Sequence, residues 1–316
     1  MLVDDYTLTK LIEKGTFGEI YLASKKREKT SYAVKVINKS KYNKSINALK
    51  YLNNEINILK DLNHSNLLRC FEIKETSEKV FIITEYYNGG TLDNFLETYK
   101  SKYNKAPSEE IVQYIMRQIV EGIKYLHNKK IIYRDLNLTN IMINYEVEND
   151  RINNNIMKGK IKIVDFGNSK YLKKGELTKS VIGYPITMDP IIIFKLNKIP
   201  EYKESGYDEK VDIWSLGIIF YELLIGKPPF EAVSMNELLE KIKKGDFYIP
   251  IIISKEAISF LNCMMRYDLK DRLSIDILYN HEFLRKNVKE FTKLEIKNND
   301  FEPEIKLNIH SKIEEI

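Results

Sequence analysis

The chain has 316 residues, with Lys plus Arg at 50 against Asp plus Glu at 45, enough for one large domain or two packed lobes with an ample core. The small basic excess is spread along the sequence, which argues against a nucleic-acid partner. No apolar run reaches bilayer length, the first residues lack a basic start and an apolar stretch, and Cys70 and Cys263 lie far apart in apolar settings as two reduced thiols; the expectation is a cytoplasmic protein with no membrane span, disulfide frame or cysteine metal site.

Residues 8–39 alternate and turn like a small antiparallel sheet, with Leu11-Ile12 and Glu19-Ile20-Tyr21-Leu22-Ala23 as strands around Gly15-Thr16-Phe17-Gly18. Two glycines three apart suit an ordinary turn, and also a hairpin whose backbone N–H groups could lie over phosphates. Tyr32-Ala33-Val34-Lys35 reads as the next strand, with Lys35 among apolar neighbours. A helix is expected from about Asn47 to Leu62 on the apolar stripe Leu52, Ile56, Leu59 and Leu62, with Glu55 beside the stripe. His64-Ser65-Asn66 ends it, and Leu67 to Ile73 and Val80 to Thr84 read as two more strands. Glu85-Tyr86-Tyr87-Asn88-Gly89-Gly90 then breaks the strand pattern as a hinge between lobes.

Beyond the hinge the character is helical. Pro107-Ser108-Glu109-Glu110 supplies a Ser cap and an acidic first turn, and Ile111, Ile115, Ile119, Ile123 and Leu126 form a core stripe ending at His127, a packing residue. Then comes Ile131-Ile132-Tyr133-Arg134-Asp135-Leu136-Asn137-Leu138-Thr139-Asn140-Ile141, and later Ile163-Val164-Asp165-Phe166-Gly167. Taken singly, Asp135, Asn140 and Asp165 are ordinary turn residues. Brought together, two carboxylates and an amide can hold a divalent cation through oxygen, and one carboxylate can accept a proton. Tyr145 to Lys160 between them has the Glu/Asn/Asp character of a solvated loop, and Ile191 to Gly206 is an enlarged connection. Tyr207 to Ile225 begins a helix apolar nearly all round, so it is expected to be buried, with Asp212 inside it needing a partner. Further helices are expected near Met235 to Lys244, Lys255 to Arg266 and Ile275 to Tyr279, and the charged stretch after Lys286 as an appendage or disorder.

In order and spacing these motifs resemble the eukaryotic protein kinases, over about residues 4–286. The resemblance implies an α+β, two-lobed protein kinase-like fold: residues 1–87 as an N-terminal ATP-binding lobe, 88–286 as a C-terminal catalytic and substrate lobe, 287–316 as a charged tail. It implies Mg²⁺-dependent transfer of the γ-phosphoryl group of ATP to Ser or Thr hydroxyls of a protein substrate; Ser/Thr is preferred because the catalytic loop lacks the Ala/Arg pattern of tyrosine-specific members. The alternative is a pseudokinase or weakly active nucleotide-binding scaffold that works through protein partners.

By the same resemblance Asp135 is the catalytic base, with Asn137 beside it; Lys35, paired with Glu55, holds the phosphates; and Asn140 and Asp165 hold Mg²⁺. Nucleotide contacts fall to Ile12, Gly15, Gly18, Ile20, Ala33, Lys35, the gatekeeper Thr84, the hinge residues Glu85 and Tyr87, and Met142. Arg134 matches an Arg that pairs with an activation-segment phosphate, for which Ser180 is first candidate and Thr178 second; an activating kinase or regulatory protein is the further partner implied. The chain departs from the family at Glu13, a missing loop glycine, at Thr91, and at Tyr133 in place of His. Asn137 stands where Ser/Thr kinases carry Lys, and Tyr184 where its hydroxyl partner stands. Ile191 replaces the Glu of Ala-Pro-Glu, whose ion-pair partner resembles Arg272, so that Arg is left unpaired unless Asp189 or another acid reaches it. The Tyr145 to Lys160 loop, the hinge and the Gly183-Tyr184-Pro185 run most resemble the autophagy-initiating subfamily.

Overall fold

The computed structural model describes residues 2–15, 18–42, 46–173, 175–250, 252–292 and 304–310. Thr16 and Phe17 of the glycine turn lie outside the described residues.

The N-terminal part is an antiparallel sheet of β1 (Leu2–Val3), β2 (Tyr6–Lys14), β3 (Glu19–Lys25), β4 (Ser31–Asn38), β5 (Cys70–Glu75) and β6 (Lys79–Glu85), in the order β1-β2-β3-β4-β6-β5. Alternate side chains of a strand face opposite sides of its sheet. Val34, Val36, Phe81 and Ile83 therefore join Tyr6, Ala23 and Tyr32 in one small core. Ile37, Val80 and Ile82 take the other face and pack with the helix α2 (Ile46–Asp61), which follows the short α1 (Lys39–Tyr42) and buries Leu52, Ile58 and Leu59. The fifth strand starts at Cys70, not Leu67, because Leu67 and Leu68 are drawn to the lower lobe: Leu67 bridges Ile163, and the Leu68 N–H donates to the Ile163 carbonyl at 2.9 Å.

Below the hinge lie α3 (Leu92–Tyr103), which is capped by Thr91 in reciprocal bonding with Asn94, and α4 (Glu109–Asn128). Ser108 occupies the cap position of α4 in extended backbone, but its hydroxyl makes no capping bond. Glu109 instead spends its carboxylate on Ser254, accepting from its N–H at 2.9 Å and its Oγ at 2.6 Å. The stripe Ile115, Ile119, Ile123 and Leu126 is fully buried. It presents to the lobe core the short strands that carry the site: β7 (Ile131–Ile132), β8 (Ile141–Asn144), β9 (Lys160–Ile163) and β10 (Lys170–Tyr171). β8 pairs with β9, and β7 with β10.

The segment between β8 and β9 is more than a solvated loop. It contains a short helix, α5 (Glu148–Ile152), and a 3₁₀ turn at Ile156–Lys158, because Tyr145 and Ile156 insert into the core at either end. Tyr145 and Asn88 of the hinge also exchange two hydrogen bonds of 2.9 Å.

The rest of the lower lobe is α6 (Pro190–Leu196), α7 (Lys210–Ile225), α8 (Met235–Lys244), β11 (Asp246–Pro250), α9 (Lys255–Met264), α10 (Ile275–Tyr279) and α11 (Glu282–Arg285). The long α7 is buried on nearly every side, Trp214, Ile218 and Phe220 included. Part of the charged tail also joins this lobe: β12 (Glu304–Asn308) pairs antiparallel with β11 and buries Leu307 and Ile309. Its alternation Ile305, Leu307, Ile309 is that of a half-buried strand, too short to stand out among flanking charges.

Candidate active site

The upper wall of the cleft comes from the β2–β3 hairpin and β4. The Gly15 N–H donates to the Gly18 carbonyl at 2.9 Å. A Cβ at Gly18 would sit 2.7 Å from the Val36 carbonyl oxygen, so the hairpin lies too close to β4 for any larger residue. On β4, Lys35 stands opposite Ile20 and Ile82, and its Nζ is 2.6 Å from Glu55 Oε1 of α2. Glu55 is only 5% exposed, so its charge is held by that ammonium in a dry setting. Asn54, the preceding residue, donates from Nδ2 to the Ser169 carbonyl at 2.6 Å and ties α2 to the segment after Gly167. A Cβ on Gly167 would lie 3.2 Å from Asp165 Oδ1 and 3.6 Å from Glu55 Oε2, which puts the helix carboxylate beside that turn.

The back of the cleft is polar and braced. Thr84 is buried, and its hydroxyl donates to the Ala33 carbonyl at 3.3 Å. Lys162 of β9 forms an ion pair with Glu85 at 3.1 Å, and its ammonium stands 5.4 Å from the centre of the Tyr87 ring. The Tyr87 hydroxyl accepts from the Arg69 N–H at 3.2 Å, and burial pushes that phenol well above its ordinary pKa. The Glu85 and Tyr87 side chains are thus fastened to the protein body. Met142 on β8 is half-buried and bridges to Thr91, while Ile12 on β2 is exposed.

The catalytic loop is held from below by Asp212 of α7. Its Oδ2 accepts from the Tyr133 N–H at 2.9 Å and lies 2.9 Å from His127 Nε2, and its Oδ1 accepts from the Arg134 N–H at 2.8 Å. The partner that sequence reasoning requires for Asp212 is therefore the loop backbone, with His127 added from α4. Arg134 and Asp165 both adopt left-handed backbone, at φ 72° and 56°. Such conformations are held by their surroundings and concentrate at functional sites. Tyr133 is fully buried; its hydroxyl donates to the Val164 carbonyl, and its ring meets Phe166 edge-on at 5.5 Å.

Asp135 sits among carboxamides. Asn140 donates from Nδ2 to the Asp135 carbonyl at 2.9 Å and to Oδ2 at 3.1 Å. Asn137 donates to the same carbonyl at 3.0 Å and accepts, through Oδ1, from the Thr139 N–H, the Thr139 hydroxyl and the Asn140 N–H. Asn137 thus works as the cap of the loop's 3₁₀ turn. Tyr184 is 52% exposed, and among the described residues no hydrogen bond joins it to Asn137. A third amide was not anticipated from the sequence: Asn168 Nδ2 donates to Asp135 Oδ2 at 3.0 Å. Its only sequence signal is its place directly after Asp165-Phe166-Gly167. Burial raises the Asp135 carboxyl pKa above its ordinary value, the Asn168 bond pulls it back, and the charge of Asp165 raises it again.

Among the described residues no group of three or more His, Cys, Asp or Glu side chains could hold a metal by itself. Mg²⁺ bound with a nucleotide takes one or two carboxylates and fills its shell with phosphate oxygens and water. Asp165 and the Asn140 carboxamide oxygen, whose nitrogen is already committed to Asp135, are oxygen donors of that kind, so the residues present fit the ion.

Around the activation segment, Arg134 donates from Nε to the Asn168 carbonyl at 2.6 Å, while its buried Nη1 has no hydrogen-bond partner among the described residues. Thr178 is buried and exchanges backbone bonds of 2.9 and 3.0 Å with Tyr207. Ser180 is half-buried, and its carbonyl accepts from the Tyr207 hydroxyl at 2.6 Å. Farther along, Asp189 reaches Arg272 in a fully buried ion pair, and Arg272 keeps a partner although Ile191 cannot supply one.

The family described as protein kinase domain matches residues 6–284. The chain is 32% identical to myosin light chain kinase A of Dictyostelium discoideum over 287 residues, 89% of this chain and 88% of that protein. It is 34% identical to serine/threonine-protein kinase 33 of Bos taurus over 292 residues, and 30% identical to serine/threonine-protein kinase atg1 of Dictyostelium discoideum over 289. Those matches take in 90% of this chain but only 56% and 40% of the two relatives.

Proposed function

Since the chain belongs to the protein kinase family, as a member of its eukaryotic Ser/Thr branch with weak similarity to atg1, we propose that it transfers the γ-phosphoryl group of Mg-ATP to Ser or Thr hydroxyls of protein substrates. The observation that carries this reading is the Lys35–Glu55 pair, closed at 2.6 Å between β4 and α2. In kinases that pair must be in place for transfer.

Each residue then has a task. The Gly15–Gly18 hairpin and Lys35 bind the phosphates, and Glu55 orients Lys35. Ile12, Ile20, Ala33 and Met142 sandwich the adenine, which bonds to backbone at Glu85 and Tyr87 beside Thr84. Asn140 and Asp165 hold the divalent ion, which draws charge from the phosphate oxygens when bound. Asp135 accepts the proton of the substrate hydroxyl, and burial, which raises its carboxyl pKa above the ordinary value, makes it a better base than an exposed aspartate. Arg134, whose Nη1 has no hydrogen-bond partner among the described residues, would receive a phosphate on Ser180; Thr178, the second candidate, is already buried in its bridge to Tyr207. A Ser180→Ala protein of undiminished activity removes that regulatory role.

One observation favours the scaffold reading: Asn137 carries no charge and is absorbed in capping the loop, so the contact Lys makes to the γ-phosphate in relatives has no counterpart at that position. The deciding experiment incubates the protein with Mg-ATP labelled at the γ-phosphate and a mixed hydroxyl-peptide substrate, with and without a chelator. Chelator-sensitive label on Ser or Thr supports the enzyme. Nucleotide binding without label supports the scaffold.

A further inference from the structure

We infer that Asn168 is a positioning residue for phosphoryl transfer, holding the Asp135 carboxylate in register with the segment that carries Asp165. The inference takes its chemistry from the kinase reading above, but the contact itself stands on geometry.

Two of the three amides around Asp135 cannot do this. Asn137 and Asn140 lie within five residues of Asp135 and bond to its main-chain carbonyl as well as its carboxylate, so they shape the loop internally. Among the described residues neither side chain bonds to the Asp165-Phe166-Gly167 segment, although the Asn140 carbonyl accepts from the Val164 N–H at 3.0 Å just before it. Asn168 belongs to that other segment. Its Nδ2 donates to Asp135 Oδ2 at 3.0 Å, and its carbonyl accepts from Arg134 Nε at 2.6 Å. One residue therefore grips the loop on both sides, by main chain at Arg134 and by side chain at Asp135.

A neutral donor suits the place. Asp135 and Asp165 are two carboxylates on the two segments that this contact joins, and like charges repel. A carboxamide hydrogen tethers the base across that gap and adds no charge to compete for the phosphates. An apolar residue at 168 would leave Oδ2 held only from within its own loop and free to swing relative to Asp165. Transfer requires base, hydroxyl and phosphate in line, and displacement of about 1 Å costs on the order of a hundredfold in rate.

The test compares Asn168→Leu, similar in volume but without a donor, with Asn168→Gln, which keeps the carboxamide. We expect kcat to fall about tenfold or more in Asn168→Leu, with KM for ATP and peptide within about twofold and the melting temperature unchanged, and to recover in part in Asn168→Gln. A merely structural residue would instead move stability or KM. The second readout needs no activity: in protein labelled with ¹⁵N-Asn, the side-chain amide signal of Asn168, identified by its loss in Asn168→Leu, should shift toward the free-amide position in Asp135→Ala. A kcat within twofold of the parent in Asn168→Leu, or an amide signal indifferent to Asp135→Ala, overturns the inference. If the parent protein transfers no phosphate, the kinase reading fails and the amide signal alone decides whether Asn168 holds Asp135.

Discussion

Asp189 and Arg272 form an ion pair from which solvent is excluded on both sides, with relative exposures of 1% and 0%. Asp189 also accepts from the Ile191 N–H at 2.8 Å and so caps α6, while Arg272 donates to the carbonyls of Arg266, Lys210 and Tyr267. In the family motif the acid stands two positions later, where this chain has Ile191. The carboxylate has moved along the chain, but the bond to Arg272 has been kept. The end of the activation segment stays pinned to the lower lobe.

Removing one partner of such a pair strands a buried charge. Asp189→Ala should lower stability by about 3–5 kcal/mol, read as a shift of the urea midpoint. Asp189→Ala with Ile191→Glu, which writes the motif back in its usual order, should recover a large part of that loss. Equal stability of the single and double variants would mean that the position of the acid cannot be exchanged.

Tyr133 should matter through its hydroxyl. Its bond to the Val164 carbonyl links the catalytic loop to the residue before Asp165. Tyr133→Phe leaves a half-buried carbonyl without that donor, costing about 1 kcal/mol, and should lower kcat severalfold more than it raises KM. Tyr133→His, the usual family residue, should restore part of the rate.

Glu222 on α7 makes stability depend on pH. Burial, then the nearby Asp93 carboxylate, raise its carboxyl pKa from 4.5 to about 7, against the pull of Lys100. Between those values the folded protein keeps a proton that the unfolded chain has released, so this residue's contribution to stability falls as pH rises from about 4.5 to about 7. Glu222→Gln should be neutral at pH 4.5 and stabilising at pH 8, by at most about 3 kcal/mol. Thermal melts of both proteins at the two pH values check the sign.

The tail strand should contribute to folding. Deleting residues 304–316 uncovers the β11 edge and removes Leu307 and Ile309 from the core. Each buried aliphatic side chain is worth roughly 1.5–3 kcal/mol, so the melting temperature should drop by several degrees or more. It also removes the His310 ring that packs on Tyr267 at 4.6 Å, next to the Arg272 anchor.

What could be read in the sequence was local. The stripes of α2 and α4, the all-round apolar α7 and the Asp135, Asn140, Asp165 spacing stand out because helix periodicity and fixed motif distances survive without tertiary information. Asn168 did not, since its meaning lies in a contact across 33 residues that only the folded loop creates. The Asp189 exchange was half visible: the missing acid could be seen, while the bond to Arg272 depends on a contact 83 residues away. Ser108 shows the reverse failure, for a residue of the right type stands at the cap position of α4 and its hydroxyl makes no capping bond. The strand at Glu304–Asn308 was hidden because five alternating residues carry too weak a period among charges.

The most direct test of the account is a single-turnover measurement of γ-phosphate transfer by the parent protein and by Asp135→Asn, with Mg-ATP affinity measured on both. The account predicts equal nucleotide affinity, label on Ser or Thr with the parent, and transfer slower by about a hundredfold or more with Asp135→Asn. Equal transfer by the two proteins, or none by the parent even with Ser180 phosphorylated beforehand, would contradict it.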